Sequence, residues 1–363
     1  MRVMRLTALT VLLALLLGGC QDTGEVENQA YVLVLALDGT GNGDLSLTAR
    51  VPKIGKSDAQ GDKGDPGGSP YLTFSVSAPS WSAALDALQW ATPRRINLSH
   101  IEMIVVSEAL ASRPSFASLM NGMADTPHLY TNARFVICPG SARTFLEAGE
   151  TVIGTRLSSE IHTMLSQYAR QGFIPDVCLA DACYCANGIY GDPIAIWGDL
   201  AGSEDDAPMS VTKSPMRQRF SGAALFRGGR FVRALSKRET RLLNLIRGQC
   251  RTLSYSWQDQ TVELPLRSSS RKVRIEGGDI TLSLRLKLGV PGGFSETQRS
   301  ALEQSTRNDI ARLVGDCQRL GIDPFGFAES ASGHFMTASQ WLAFDWRSRF
   351  TRAPLDIDVT ISK

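Results

Sequence analysis

The hydrophobic and polar positions of this chain follow two different periods. Every second residue of the segment Ile280–Leu288 is apolar, which is typical of a strand with one buried face. The run Ala30–Leu37 is apolar throughout and Ile101–Val106 is apolar except at Glu102, and this predicts strands that are buried on both faces. Leu45–Val51 alternates again, so we expect it to form a hairpin with the strand before it.

Apolar residues three and four positions apart mark the predicted helices. Trp81–Trp90 is a short amphipathic helix of this kind. Ser295 and Gln298 fit a capping box, and the helix that they begin is predicted to run to Leu320 and to end at Gly321. Further helices are predicted at 116–123, 141–147, 161–170, 239–246 and 339–349.

Predicted strands and helices intermix along the whole chain. They alternate over 101–170, which favours an α/β layer, and hairpins with Gly-Gly turns at 228–229 and 277–278 dominate the second half. The predicted fold class is therefore α+β. Gly55–Pro70 is predicted to be a mobile loop, and the Gly-, Pro-, Asp- and Cys-rich stretch Gly172–Pro208 a domain boundary or an exposed connection.

The first twenty residues have the layout of a secretory signal. Arg2 and Arg5 precede the apolar run Leu6–Leu17, which is shorter than the ~20 residues of a membrane-spanning helix. A Leu-Gly-Gly sequence before Cys20 looks like a bacterial lipobox, in which the thiol of Cys20 receives a diacylglyceryl group and Cys20 becomes the N-terminus. The alternative is a secreted protein with a chance cysteine there. We predict a lipoprotein signal peptide over 1–19 and lipidation at Cys20.

Composition narrows the classes of function. The chain has 363 residues and a formal net charge of +2, from 38 Lys and Arg against 36 Asp and Glu. This balance gives no reason to expect nucleic acid as a partner, and the length predicts two or three domains. After Cys20 there is no second long apolar run, so we expect the mature chain to be held at the outer face of a membrane without crossing it.

The remaining cysteines leave their redox state open. Disulfides are permitted outside the membrane, but pairing cannot be deduced from sequence. The cluster at 178–185 has no histidine nearby as a fourth zinc ligand, so one disulfide or free thiols are favoured over a metal, and we predict no metal and no cofactor. The six are Cys138, Cys178, Cys183, Cys185, Cys250 and Cys317.

The usual catalytic motifs are missing from the sequence, so no catalytic site is predicted from the residues alone. Asp356 and Asp358 alternate with apolar residues, which places both on the exposed face of a strand. Trp341 and Trp346 are expected to pack a helix on a sheet, with a ligand cleft as the alternative. The four histidines, His100, His128, His162 and His334, are not spaced as metal ligands. His100 is expected to be structural.

Four segments in order carry a resemblance to a known family. They are the lipobox, Leu98–Ile101 with Ile104–Glu108, Phe220–Phe226 followed by Gly229, Arg230 and Glu239, and Gly321–Gly326 followed by Trp341, Trp346 and Phe350. On these segments the chain resembles the GerAC, or Ger(x)C, lipoproteins, the C subunits of spore nutrient germinant receptors. It departs from the family at Gln21, where the family usually has Trp.

The resemblance implies a fold of about three small mixed α/β subdomains, with largely antiparallel sheets flanked by helices. It divides the mature chain into an N-terminal region, 20–205, and a C-terminal region, 206–363. It also implies a role as a non-enzymatic, lipid-anchored receptor subunit in the spore inner membrane. The implied partners are the membrane-spanning A-type and B-type subunits, with which it triggers germination.

Two other functions remain as alternatives. A lipid-anchored solute-binding protein would have a deep pocket between two domains, near Trp197 or the pair Trp341 and Trp346. A cell-envelope hydrolase would need a nucleophile or two close carboxylates in a cleft, and the sequence offers no such constellation.

Overall fold

The computed structural model describes residues 28–53, 71–149, 157–187, 191–200, 218–257, 260–290 and 292–362. Of these residues, 37% are helical and 36% lie in strands, which confirms the α+β class. The predicted signal peptide and Cys20, the whole of the predicted loop Gly55–Pro70, and the predicted boundary between 205 and 206 lie outside the described residues.

The described strands and helices are numbered here in chain order. The strands are β1 Gln29–Tyr31, β2 Val34–Gly39, β3 Leu45–Pro52, β4 Tyr71–Ala78, β5 Arg95–Asn97, β6 Met103–Ser107, β7 Arg134–Cys138, β8 Ile194–Leu200, β9 Gln218–Arg227, β10 Arg230–Leu235, β11 Thr252–Trp257, β12 Gln260–Glu276, β13 Asp279–Gly289 and β14 Leu355–Ser362. The helices are α1 Trp81–Ala91, α2 Glu108–Ala111, α3 Phe116–Ala124, α4 Ala142–Glu147, α5 Leu157–Arg170, α6 Leu179–Asn187, α7 Lys237–Arg247, α8 Glu296–Leu320, α9 Phe327–Ser332, α10 Ala338–Phe344 and α11 Trp346–Phe350.

The largest sheet has eight strands in the order β10-β9-β8-β7-β6-β2-β3-β4. Its central strands β8, β7, β6 and β2 are parallel neighbours, and antiparallel hairpins flank them on both sides. All five residues of β6 are buried, as the continuous apolar run predicts for a strand covered on both faces.

Helices cover both faces of this sheet. Alternate residues of the central strands belong to two separate hydrophobic cores, because successive side chains of a strand point to opposite faces. Helices α1, α2, α3 and α6 contribute to one core. Helices α4, α5 and α7 pack into the other, which also contains the second sheet.

The second sheet has four strands in the order β11-β12-β13-β14. In β13 the predicted alternation holds, with the leucines buried and the residues between them partly or fully exposed. The predicted long helix packs beside it as α8, with the capping box of Ser295 and Gln298 at its start and Gly321 in the left-handed conformation at its end. One hydrophobic core therefore runs from the eight-stranded sheet into the four-stranded sheet.

Three sequence predictions differ from the structure. The single helix predicted over 339–349 is two helices, α10 and α11, because Asp345 between them is in the left-handed conformation. Ala30–Leu37 was expected to be one strand, but the chain divides it into β1, which pairs in parallel with β5, and β2 in the large sheet. Gly172–Pro208 was expected to be a boundary or an exposed connection, and this is wrong for α6 and β8, which lie within it. Gly191 and Pro193 stand just before β8, so the average composition hides the buried run Ile194–Ile196.

Candidate functional site

Three charged residues from distant parts of the chain meet where the two sheets approach each other. Asp192 comes just before β8, Asp323 lies between α8 and α9, and Arg347 is in α11. The Arg347 guanidinium donates to Asp192 Oδ1 over 2.8 Å and to the carbonyl oxygen of Gly321 over 2.7 Å. We call this group the Asp192–Asp323–Arg347 cluster.

The Asp192 carboxylate has further partners on both sides. Its Oδ2 accepts a hydrogen bond from the backbone N–H of Asp323 over 3.0 Å. Its Oδ1 also accepts one from the N–H of Gly228, in the turn between β9 and β10, over 3.3 Å. Because the Asp192 side chain is only 6% exposed, these bonds are shielded from water and are stronger than surface bonds.

Asp323 is buried and serves the backbone around it. Its Oδ1 accepts the N–H of Phe325 over 3.1 Å, and its Oδ2 accepts the N–H of Ala328, in the first turn of α9, over 2.6 Å. Burial raises the pKa of this carboxyl to about 6, with a further rise from Asp192, while the backbone N–H groups act in the opposite direction. The carboxyl therefore holds the start of α9 in place, although burial disfavours its charged form.

Two arginines bind backbone carbonyl groups of the same segment, Gly321–Gly326. Arg247, at the end of α7, donates to the carbonyl oxygen of Pro324 over 2.8 Å, and Arg271 of β12 donates to that of Phe325. Burial lowers the pKa of Arg247. The segment Gly321–Gly326 is thus bound by residues of both sheets and of the C-terminal helices.

A small cavity adjoins the cluster. It has a volume of about 210 Å³, and Asp192, Asp323, Arg347, Trp341 and Trp346 are among the residues that line it. Pockets for small molecules usually measure about 300–1,000 Å³, so this cavity is below that range. A wider cleft of about 500 Å³ lies beside it, with Asp345 in both linings.

The tryptophan pair both packs and lines the cavity. Trp341 and Trp346 stack with ring centroids 5.7 Å apart, and they are 3% and 9% exposed. The packing that the sequence favoured is therefore observed, together with the contact to a cavity that was its alternative. Trp197 lies elsewhere, stacked on Phe231 at 5.7 Å, and is not part of the cavity lining.

The cluster brings two carboxylates together, which is the feature that a hydrolase would require. Both carboxylates, however, accept hydrogen bonds from backbone N–H groups, and Asp192 is also paired with Arg347. General acid–base catalysis needs a carboxyl within hydrogen-bond reach of a substrate proton. The geometry instead makes these carboxylates internal links between three parts of the chain.

The other predicted residues are dispersed. His100 is exposed and meets the ring of Tyr31 edge-on, with centroids 4.9 Å apart. Asp356 and Asp358 are exposed on β14, as their alternation predicts. Within the described ranges, no group of three His, Cys, Asp or Glu side chains is placed to hold a metal ion.

The cysteines left open by the sequence are free thiols in the structure. This applies to all six in the described residues, and four of them are buried. Burial raises the pKa of Cys183 to about 11 and raises the pKa of Cys138 and Cys317 still further. Cys178, which is half-buried, donates from its thiol to Asp181 over 3.1 Å. In the described parts of the chain, no helix is both long and apolar enough to cross a membrane.

Two family models match the parts of the chain that contribute residues to the cluster. The model described as the spore germination protein N-terminal domain matches residues 22–196, and the one described as spore germination B3/GerAC like, C-terminal, matches residues 221–362. The chain belongs to the GerAC family. The GerAC family is a family of spore germination receptor subunits, which confirms the resemblance seen in the sequence.

Two similar proteins extend this finding. The putative spore germination protein YfkR of Bacillus subtilis (strain 168) is 21% identical, over 93% of this chain and 90% of its own length. The crystal structure of the GerBC protein matches with a TM-score of 0.54 and 14% identity, over 90% of this chain and 96% of that one. The second likeness concerns the fold.

Sequence reasoning found only part of the Asp192–Asp323–Arg347 cluster. Gly321–Gly326 was singled out by the family resemblance, and it contains Asp323. Asp192 and Arg347 were missed because neither has a partner near it in sequence: 155 positions separate them. The one available signal for Asp192 was its place directly before the apolar run Ile194–Ile196.

Proposed function

We propose that this chain is the lipid-anchored, non-enzymatic subunit of a spore nutrient germinant receptor. It assembles with membrane-spanning A-type and B-type subunits and contributes to the triggering of germination. The observation that carries the proposal is the consecutive match of both GerAC domain models, over 22–196 and 221–362. The N-terminal region, 20–205, and the C-terminal region, 206–363, follow this division.

The proposed anchor is the lipid on Cys20. The Leu-Gly-Gly-Cys sequence after an apolar run of about a dozen residues supports it. Two acyl chains hold a protein on a membrane stably, whereas one holds it marginally. Confinement to the outer face of the spore inner membrane raises the effective concentration of the subunit near its partners, so docking requires less intrinsic affinity.

The chemistry of the cluster supports a non-enzymatic role. Asp192 and Asp323 are engaged by backbone N–H groups and by Arg347, and the adjoining cavity of about 210 Å³ is small. The alternative of a solute-binding protein needs a pocket that buries most of its ligand. The small cavity disfavours that alternative, and the wider cleft of about 500 Å³ is lined, within the described residues, by the C-terminal region alone and so does not lie between two domains.

The experiment compares spores that carry the wild-type chain, Cys20→Ala, or Cys178→Ala. We expect the wild-type chain to fractionate with the inner membrane, to carry a lipid on its N-terminal peptide by mass spectrometry, and to co-purify with two polytopic proteins. Cys20→Ala should leave the membrane fraction and slow germination. Cys178→Ala removes a half-buried thiol elsewhere and should behave as wild type.

Opposite results would overturn the proposal. A Cys20→Ala chain that stays with the membrane and supports normal germination would contradict the anchor. A wild-type chain that purifies alone with a tightly bound small molecule, and that spores can lose without a germination defect, would contradict the receptor role and favour the solute-binding alternative.

A further inference from the structure

The most exposed tryptophan of the described residues lies at the end of α1. Trp90 is 91% exposed, while Trp81, Ala84 and Leu88 bury the opposite side of the same helix. Tryptophan is a large apolar side chain that is usually well buried. An indole with one polar N–H is suited to the boundary between water and lipid, where tryptophan is enriched.

The loop after Trp90 is fixed to the helix. Three residues, 92–94, connect α1 to β5. The side chain of Gln89 donates to the carbonyl oxygen of Arg94 over 3.0 Å and accepts the N–H of Ile96 over 2.9 Å. Thr92, between them, is buried. Trp90, Arg94 and Arg95 therefore belong to one fixed corner, which we call the α1–β5 corner.

The N-terminal segment leaves the fold at this corner. β1 pairs in parallel with β5, and Gln29 stands opposite Arg95. The side-chain amide of Asn97 also donates to Gln29. Cys20 precedes Gln29 by nine residues, and nine residues span at most roughly 30 Å of extended chain. A lipid on Cys20 thus keeps the α1–β5 corner within about one domain diameter of the bilayer.

The charge of the corner suits an anionic surface. Arg95 is exposed and Arg94 is half-buried, and neither forms an ion pair within the described residues. The exposed acidic residue nearest in sequence is Asp86, one helical turn before Trp90. Basic residues close to an anionic membrane are attracted to its headgroups over about one Debye length.

We propose that the α1–β5 corner contacts the membrane surface that carries the anchor. The indole of Trp90 lies at the level of the headgroups, and the guanidinium groups of Arg94 and Arg95 bind lipid phosphates. This inference rests on the proposed anchoring at Cys20, and it adds a second point of contact that fixes which side of the subunit faces the bilayer.

The test holds the chain on vesicles by a route that does not depend on lipidation. Residues 21–363 carry a decahistidine tag in place of Cys20 and are bound to nickel-chelating vesicles of phosphatidylcholine, with or without phosphatidylserine. The vesicles contain a phosphatidylcholine with a shallow doxyl quencher. We expect quenching of tryptophan fluorescence on the phosphatidylserine vesicles, and we expect Trp90→Ala to remove most of it.

Charge variants and matched controls complete the experiment. Arg94→Gln and Arg95→Gln should each weaken the contact equilibrium about fivefold, and 1 M salt should suppress it. Tyr184→Ala removes an aromatic ring that is 67% exposed on α6, and Arg274→Gln removes an exposed charge on β12. Both controls should quench as wild type does.

Each contrary result overturns the inference. Equal quenching in the wild type and in Trp90→Ala, or equal effects of the variants and their controls, would show that the corner does not meet lipid. If Trp90 becomes shielded only after membrane-spanning subunits are added, its partner is a protein and not the membrane. Lipidation is read separately, from the mass of the N-terminal peptide of chain isolated from spores, so failure of the anchor is distinguishable from failure of the corner.

Discussion

Asp323 shows how one residue can be costly to bury and still stabilise its surroundings. Removal from water disfavours its charge, while its hydrogen bonds to the N–H groups of Phe325 and Ala328 favour it. The first influence is larger, and the pKa rises from the ordinary 3.8 to about 6. Sequence alone places an aspartate in a family motif here, but it cannot show burial, because Asp192 and Arg271 reach the segment from far along the chain.

The raised pKa of Asp323 predicts a pH dependence of stability. A carboxyl with a higher pKa in the folded state binds its proton more tightly there than in the unfolded chain. The contribution of Asp323 to the free energy of unfolding should therefore rise as the pH falls from about 6 to about 4 and be lost as the pH increases through the same window. A shift of about two units corresponds to roughly 3 kcal/mol.

Urea unfolding at several pH values measures this contribution. Asp323→Asn should remove this contribution, so the stability of the wild type relative to the variant should rise as the pH falls from 6 to 4, whatever the difference at pH 7. Asp358→Asn, at an exposed position on β14, should leave the pH profile unchanged. Identical profiles for wild type and Asp323→Asn would contradict the prediction.

At the scale of single elements, the β9–β10 hairpin shows how a local signal predicts structure. Two glycines between apolar strand segments signal a turn that needs positive φ, and the structure gives φ values of 56° at Gly228 and 77° at Gly229. The sequence did not predict α6 and β8, because other residues interrupt or adjoin their apolar pattern. Polar residues and cysteines interrupt the apolar pattern of α6, and Gly191 and Pro193 stand just before β8.

The two glycines of this turn should respond differently to substitution. A Cβ at Gly229 would lie 2.7 Å from the Cβ of Ala117 in α3, whereas a Cβ at Gly228 would meet nothing within 4 Å. Gly228→Ala should cost about 1 kcal/mol from backbone strain alone. Gly229→Ala adds the clash with α3 and should cost about 1–3 kcal/mol more.

Chemical unfolding of the two alanine variants checks the difference directly. Since both positions have positive φ, Gly228→Ala serves as the control for strain. Equal losses of stability in the two variants would show that α3 moves away from the turn freely.

At the scale of the whole molecule, the two sheets share one hydrophobic core. Their apolar side chains belong to a single core, which extends from β2 and β7 to β13 and α8. Sequence periodicity predicts many of these elements but not their neighbours, because the contacts join residues more than a hundred positions apart. The Asp192–Arg347 ion pair is one such contact, and it fastens α11 to the start of β8.

Loss of this ion pair should destabilise the molecule as a whole. Arg347→Met leaves the buried Asp192 carboxylate without its cation and should cost about 3 kcal/mol, near the lower end for a broken buried pair because Arg347 is 39% exposed. Arg312→Met removes an exposed partner of Asp309 and should cost less than about 1 kcal/mol.

Calorimetry of the two variants gives both the size and the cooperativity of the effect. We expect Arg347→Met to unfold at a lower temperature but still in one transition, because the shared core remains. Two separate transitions would show that the ion pair, and not the core, couples the sheets.

The place of β9 and β10 in the eight-stranded sheet also affects how the chain is made. The N-terminal family model ends at residue 196, inside β8, yet the strand that covers the edge of β8 begins at Gln218 and its hairpin ends at Leu235. Ribosomes add about 5–20 residues per second, so the nascent sheet presents an uncovered edge for about 2–7 seconds. During that interval a chaperone that binds strand edges would protect the growing polypeptide from aggregation.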